Sequence, residues 1–217
     1  ALNAEELLEE IFFFMNRLIE EKDFDQTILL LTDLGRTLVN SDRASFWYWD
    51  QKKKQYWTIA ALGSERIIVE EGDGIVGASI AGNETIVLND PRKDPRFYAK
   101  SSEAIGYPVH SLLCMPVTDT RGRVIGAYQA VNKLDAQGDQ GAFDETDVRR
   151  LALAAVYCGK ALESHILYDE AQLDPLTGLK NRRGMYDYCF AHFSGENVED
   201  SSVIMCDIDF FKKVNDT

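Results

Sequence analysis

The chain has 217 residues, 23 basic against 36 acidic side chains, a formal charge of −13, and 45% hydrophobic residues. That length suits one or two domains of roughly 100–200 residues, and the apolar share supports a packed core rather than global disorder. The acidity argues against a nucleic-acid partner or an anionic-membrane binder.

The longest apolar runs, such as Ile11 to Met15, fall far below the roughly 18–20 residues that span a bilayer, so no membrane segment is expected. Glu5, Glu6, Glu9 and Glu10 stand where a secretory leader would be basic. Cys114, Cys158, Cys189 and Cys206 lack metal-binding spacing and read as reduced thiols of a cytoplasmic protein. With no initiator Met and an abrupt stop at Asn215-Asp216-Thr217, the chain reads as part of a longer protein.

In chain order, residues 4–22 carry Leu7, Leu8, Ile11, Phe12, Met15, Leu18 and Ile19 at amphipathic-helix spacing. Phe13 and Phe14 widen that arc, so the helix either packs only on its own domain or also meets a partner subunit. Asp25 to Val39 gives a second helix, with Asn40-Ser41-Asp42 as its stop. The period then shortens. Ala44 to Trp49 and Tyr56 to Ala61 read as a hairpin, Arg66 to Glu70 and Thr85 to Leu88 as further strands. The stretch from Arg92 to Val109 has no clear period and reads as a functional loop or short helices over a pocket. Ser111 to Val117 and Arg123 to Asn132 form a second hairpin, and Asp144 to Leu173 one long helix of about 45 Å that projects from its domain. Its seam through Val148, Leu151, Ala155, Cys158, Leu162, Ile166 and Leu173 is close to a heptad, with a slip near His165. After Asp174-Pro175 a new unit begins, with a helix over Arg182 to Phe193 and a buried strand over Ser202 to Phe211. One helix and one strand cannot make a core, so the apolar stretch Val203 to Cys206, with no sheet to join, is expected to be disordered or paired with another chain.

Gly74-Ile-Val-Gly77, Ala81-Gly82, Asn89-Asp90, Ser111-Leu-Leu-Cys-Met-Pro116, Gly122, Val124-Ile-Gly126 and Phe143 to Asp147 resemble the GAF sensory domain over residues 24–168. The likeness implies an α+β fold: a central antiparallel sheet of about six strands flanked by helices, with residues 1–23 as an N-terminal helix and 144–173 as a C-terminal signalling helix. Asp94-Pro-Arg-Phe-Tyr98, Tyr157-Cys-Gly159 and Asn132-Lys133 followed by Phe143-x-x-x-Asp147 are similar to the GAF domains of cyclic-nucleotide phosphodiesterases. That signature implies a buried Lys133–Asp147 ion pair holding the last strand to the long helix; its closing Glu is Val148 here. The implied pocket takes in Ile75, Val76, Phe97, Ser102, Ile105, Val109 and Gln129. Cyclic-GMP binders of the family carry an acid and two threonines where this chain has Ser102, Ile105 and Val109, and another acid at Gln129. The ligand is therefore open between a cyclic nucleotide, another small molecule, and none.

Asp174-Pro-Leu-Thr-Gly-Leu-Lys-Asn-Arg-Arg183 and Asp207-Ile-Asp-Phe-Phe-Lys-Lys-Val-Asn-Asp216 are similar to the opening of a GGDEF diguanylate cyclase domain, an α/β fold, so residues 174–217 read as its truncated start. The resemblance implies that Asp207 and the Ile208 carbonyl hold Mg²⁺, that Phe210, Phe211 and Lys212 meet the GTP triphosphate, and that Asn215 reads guanine. The Gly-Gly-Asp/Glu-Glu-Phe loop is absent, so the fragment is expected to be inactive while a complete bacterial parent joins two GTP into cyclic di-GMP. The expected role is a sensor that controls that cyclase as a homodimer through its N- and C-terminal helices. The alternatives are a ligand-free dimerisation scaffold, or a parent whose degenerate cyclase domain acts as a receptor.

Overall fold

The computed structural model describes residues 3–21, 23–59, 66–97, 107–193, 202 and 204–207. Helix α1 runs Ala4–Glu20. Asn3 Oδ1 accepts from the Glu5 and Glu6 amides at 2.9 and 3.0 Å, and the Glu6 carboxylate accepts from the Asn3 amide at 2.8 Å. This reciprocal box satisfies N–H groups that the first turn leaves without intrahelical partners. Helix α2, Phe24–Val39, starts on the Asp23 carboxylate and ends at Asn40, whose left-handed φ of 48° turns the chain directly into the sheet.

Strand β1 (Ser41–Asp50) pairs with β2 (Gln55–Ile59), and β2 with β3 (Arg66–Glu70). Helix α3 (Gly74–Gly82) and β4 (Ile86–Leu88) follow, then β5 (Leu112–Thr118) and β6 (Val124–Lys133). All pairings are antiparallel, in the order β3-β2-β1-β6-β5-β4. The ten-residue strands β1 and β6 form the centre, with Phe46 opposite Tyr128 and Trp47 opposite Ala127. Because side chains alternate along a strand, each face of the sheet builds its own core. One core joins Phe46, Leu113, Val117 and Tyr128 to Ile28, Leu31 and Leu34 of α2 and Leu151 and Leu162 of α4 (Glu145–Glu170). The other joins Trp47, Tyr56, Leu112 and Cys114 to Ile75, Val76 and Ile80 of α3.

The α+β sheet of six strands matches the expectation, and the elements differ in detail. Helix α3 was not visible: its sequence is apolar all round and short, so it has no stripe to reveal it. Strand β1 begins at Ser41, so the residues read as a stop already pair, Ser41 lying opposite Lys133. Helix α4 ends at Glu170 rather than Leu173, and after Leu162 none of its described side chains is buried.

Residues 168–217 form a separate compact unit. Asp174 Oδ1 accepts from the Leu176 amide, the Thr177 amide and the Thr177 hydroxyl, which folds the Asp174-Pro-Leu-Thr-Gly motif into a tight turn. Asn181 donates to the Ala171 and Leu173 carbonyls and caps α5 (Arg182–Phe193) by accepting from the Gly184 amide at 3.0 Å. Leu176 and Phe190 are 92% and 76% exposed, as expected for a unit without a core. The strand read over Ser202 to Phe211 is not formed in its described part: residues 204–207 belong to no helix or strand, with Ile204 and Met205 85% and 94% exposed. Without a neighbouring strand the backbone has nothing to pair with.

Candidate functional site

The sheet face under α3 gathers most of the expected pocket residues. Ile75 and Val76 are buried in its apolar cluster, Phe97 and Val109 pack against that cluster half-buried, and Gln129 Oε1 accepts from Trp47 Nε1 at 3.2 Å. Ser102 and Ile105 lie outside the described residues. The first turn of α3 presses on the preceding chain: a Cβ on Gly77 would fall 2.4 Å from the Gly72 carbonyl carbon, so only glycine fits there. One residue was missed. Thr58 of β2 follows Tyr56 by two positions and so lies on the same side of the sheet. It is 1% exposed, and its Oγ1 has no hydrogen-bond partner among the described residues. A buried hydroxyl without a partner costs about 1–3 kcal/mol. Thr58→Val removes that cost at nearly constant shape. The ligand-free protein is expected to gain about 1 kcal/mol, read as a rise of roughly 2–4 °C in melting temperature. An unchanged or lower melting temperature would show that the hydroxyl is already satisfied.

The first turn of α4 is the second feature. Lys133 Nζ lies 2.7 Å from Asp147 Oδ1 and 2.6 Å from the Val39 carbonyl, with side-chain exposures of 13% and 4% for the two ion-pair residues. The ammonium thus caps the negative end of α2 while the carboxylate sits in the positive first turn of α4. Asp147 Oδ2 also accepts from the Asp144 amide, while Asp144 Oδ1 accepts from the Asp147 amide at 3.0 Å and the Thr146 amide at 2.7 Å. Those backbone donors hold the Asp144 carboxyl below its ordinary range.

Two asparagines tie the segment between β4 and β5 to this turn. Asn89, just after β4, exchanges both hydrogen bonds with the backbone of Phe143, at 2.9 and 3.0 Å. Asn132, in left-handed conformation at φ 59°, accepts from the His110 amide and donates to the Pro108 carbonyl and the Tyr107 hydroxyl. Burial, followed by the contact to Asp42 at 2.5 Å, pushes the Tyr107 hydroxyl up to about 12. Asn132, Lys133, Phe143 and Asp147 therefore act together: two hold the segment bordering the α3 face, and two hold the start of α4.

Comparison with known proteins decides the family. The GAF domain family matches residues 23–162, more than half of the chain. The chain belongs to the GAF domain family. Diguanylate cyclase, GGDEF domain, matches residues 171–217. Among curated proteins, Probable 3',5'-cyclic phosphodiesterase pde-5 of Caenorhabditis elegans is 31% identical over 160 residues, covering 67% of this chain and 21% of its own length. The first three curated relatives are spanned over only 21%, 7% and 12% of their lengths. Among solved structures, free methionine-R-sulfoxide reductase from Neisseria meningitidis with its substrate has a TM-score of 0.60 at 22% identity, over 77% of this chain and 95% of that one. The GAF domain of a phosphoenolpyruvate-protein phosphotransferase from Coxiella burnetii has a TM-score of 0.61 at 18% identity, over 78% and 98%. At those identities the likeness is one of fold.

In this GAF domain, Cys158 and Gly159 seat α4 on the sheet. Cys158 Sγ and the Tyr128 hydroxyl lie 2.9 Å apart, both buried, and Glu163 accepts from the Thr120 amide and hydroxyl. Burial pushes the Cys114 and Cys158 thiols each up to about 12. Iodoacetamide at neutral pH is therefore expected to label the exposed Cys206 and half-buried Cys189 of the native chain and to leave Cys114 and Cys158 untouched. Mass spectrometry showing four equally fast thiols would contradict this. A polar groove of about 650 Å³ lies elsewhere, lined by Glu6, Arg36, Asn40, Asp135 and Arg150 among others, and includes none of the expected pocket residues.

Of the expected GTP and Mg²⁺ residues, Asp207 is exposed, and Ile208, Phe210, Phe211, Lys212 and Asn215 lie outside the described residues. A single exposed carboxylate does not make a Mg²⁺ site, which draws on several oxygen ligands and substrate phosphates.

Proposed function

We propose that this chain is the sensory part of a cytoplasmic bacterial protein whose GAF domain controls a C-terminal diguanylate cyclase, through a bound small molecule, through dimer geometry, or through both. The observation that carries this reading is the order of the two domains, a GAF match ending at residue 162 and a GGDEF match starting at 171. One helix, α4, runs through the join from Glu145 to Glu170. Cyclic di-GMP synthesis brings two GTP-loaded half-sites together, with Mg²⁺ and positioning as the main catalytic terms. A dimer whose geometry is set upstream is a natural control for such chemistry. Among the described residues no helix is long and apolar enough to cross a membrane.

A cyclic nucleotide as the GAF ligand is supported by the phosphodiesterase relatives and by the Asn132-Lys133/Phe143/Asp147 cluster. Gln129 in place of an acid, and the apolar Val109, speak for a different ligand. The ligand-free scaffold is favoured by one observation: Ile75 and Val76 are only 3% and 6% exposed, in a closely filled cluster.

The test uses the full-length parent, assayed for cyclic di-GMP formation from GTP and Mg²⁺ with and without cyclic AMP or cyclic GMP. Calorimetry of the 217-residue chain against the same nucleotides runs beside it. Cyclase activity in the parent, none in the 217-residue chain, and a ligand-dependent rate support the sensor. Activity that no ligand changes, with no heat of binding, supports the scaffold. A parent with no cyclase activity under any condition overturns the assignment.

A further inference from the structure

The sheet ends in two edge strands among the described residues, and the two are finished differently. Strand β4 is three residues long, and Asn89 just after it ties the chain to the Phe143 backbone. Very short edge strands are one way native sheets avoid unwanted pairing. Strand β3 is five residues long, and in the strand order it has β2 on one side and no strand on the other. Its centre is apolar on both faces. Ile67 stands opposite Thr58 and Ile68 opposite Trp57, on the two sides of the sheet, yet they are 48% and 53% exposed. An edge of this kind offers backbone N–H and C=O groups beside apolar area, which is what an added strand takes.

Charge selects the occupant. Arg66-Ile-Ile-Val-Glu70 is basic at its start and acidic at its end. We propose that β3 of a second copy pairs with this edge, antiparallel and centred on Ile68, joining the two sheets about a two-fold axis. In that register Ile68 meets Ile68 of the second copy, Ile67 meets its Val69, and Arg66 meets its Glu70 at both ends. Opposite charges facing across an antiparallel pair are favourable and like charges are not. A parallel pairing in register would set Arg66 against Arg66 and Glu70 against Glu70. An antiparallel pairing slipped by two residues would lose both charge matches. Glu65 and Glu71 lie outside the strand, and the chain turns at Gly72 with φ 86°. The centred register is self-complementary, as a two-fold interface must be. Two strands of this length bury little area, so the contact belongs to the weak class. It lies at the sheet edge, apart from the terminal helices, and does not rest on the proposed function.

The test is disulfide trapping of the 217-residue chain carrying Cys189→Ser and Cys206→Ser, whose other two thiols are buried. Directly opposed residues of an antiparallel pair have Cα atoms about 4.5–5.5 Å apart, within disulfide reach. Ile68→Cys is therefore expected to form a covalent dimer under diamide. Ile67→Cys meets its own copy only diagonally, at about 7–8 Å, and should link at least about tenfold more slowly. Ile67→Cys/Val69→Cys should regain the fast rate. Adding Arg66→Glu to Ile68→Cys should slow linking about tenfold. Adding Glu70→Arg as well should return the rate to within about threefold, a rescue that misfolding cannot produce. Equal rates for Ile68→Cys and Ile67→Cys, or no rescue, overturn the pairing. If Ile68→Cys does not link, hydrogen exchange at the outward β3 amides says what holds the edge. Slow exchange gives it to a different strand, fast exchange leaves it open, and either result overturns the pairing.

Discussion

Asp147→Ala is expected to lower the unfolding free energy of the GAF domain by about 3–5 kcal/mol, the usual cost of removing one partner of a buried ion pair. The substitution strips Lys133 of the carboxylate 2.7 Å from its ammonium while 13% of that side chain meets solvent. The Val39 carbonyl then remains as the acceptor for the charge among the described residues. It also takes away the acceptor of the Asp144 amide and so half of the α4 capping box. Domains have only about 5–15 kcal/mol in total, so the variant loses a large share of its stability. Asp147→Asn keeps an oxygen for the Asp144 amide but not the charge, and is expected to fall between. Lys133→Met/Asp147→Leu removes both charges and should recover most of the loss, because the penalty lies in the unpaired ion rather than in the missing attraction. Urea unfolding of the four proteins measures these differences. An Asp147→Ala value within about 0.5 kcal/mol of the unsubstituted chain would place the pair among weak surface contacts.

The second large effect is at Gly159. A Cβ there would stand 2.1 Å from the Thr118 carbonyl oxygen, and that oxygen belongs to backbone that cannot rotate aside. Thr118 ends β5 at a register irregularity against β6, so the strand is already bent where the helix touches it. Two contributions oppose each other in Gly159→Ala. Helix propensity favours alanine by about 1 kcal/mol, whereas forcing α4 away from the sheet costs typically 1–3 kcal/mol and more when backbone must move. The neighbouring Cys158–Tyr128 contact would be stretched as well. The net expectation is a loss of about 2 kcal/mol or more, seen as roughly 4–8 °C in melting temperature. A stabilised Gly159→Ala would mean that propensity wins and the close approach is soft.

Much of the fold was legible because burial is written into spacing. The stripes of α1 and α2, the alternating runs of β1 and β6, and the long helical period after Asp144 each expose one face to a core. Helix α3 was not legible for the same reason reversed: with apolar residues all round, it has no period to detect. Residues 204–207 make the complementary point, since an apolar run becomes a strand only where another strand waits to pair with it. At the candidate site, Lys133 and Asp147 could be read from a motif, whereas Thr58 looked like one polar residue in a β-rich run. Its significance depends on which partners surround the hydroxyl, which no local pattern encodes. The Asn89–Phe143 exchange joins positions 54 apart in sequence, and only the folded sheet brings them together.

The close seat of Gly159 also limits how α4 could carry a message. A piston stroke of one helical turn, about 5.4 Å, would bring Ala155 or Glu163 to the Thr118 carbonyl. Neither fits a gap that a single Cβ already overfills. Farther along, the bonds that the Thr120 amide and hydroxyl donate to Glu163 key the helix to its hub like a shaft in a slot. Such a fitting leaves room for torque and tilt, in which the sheet would turn as one piece with its axle.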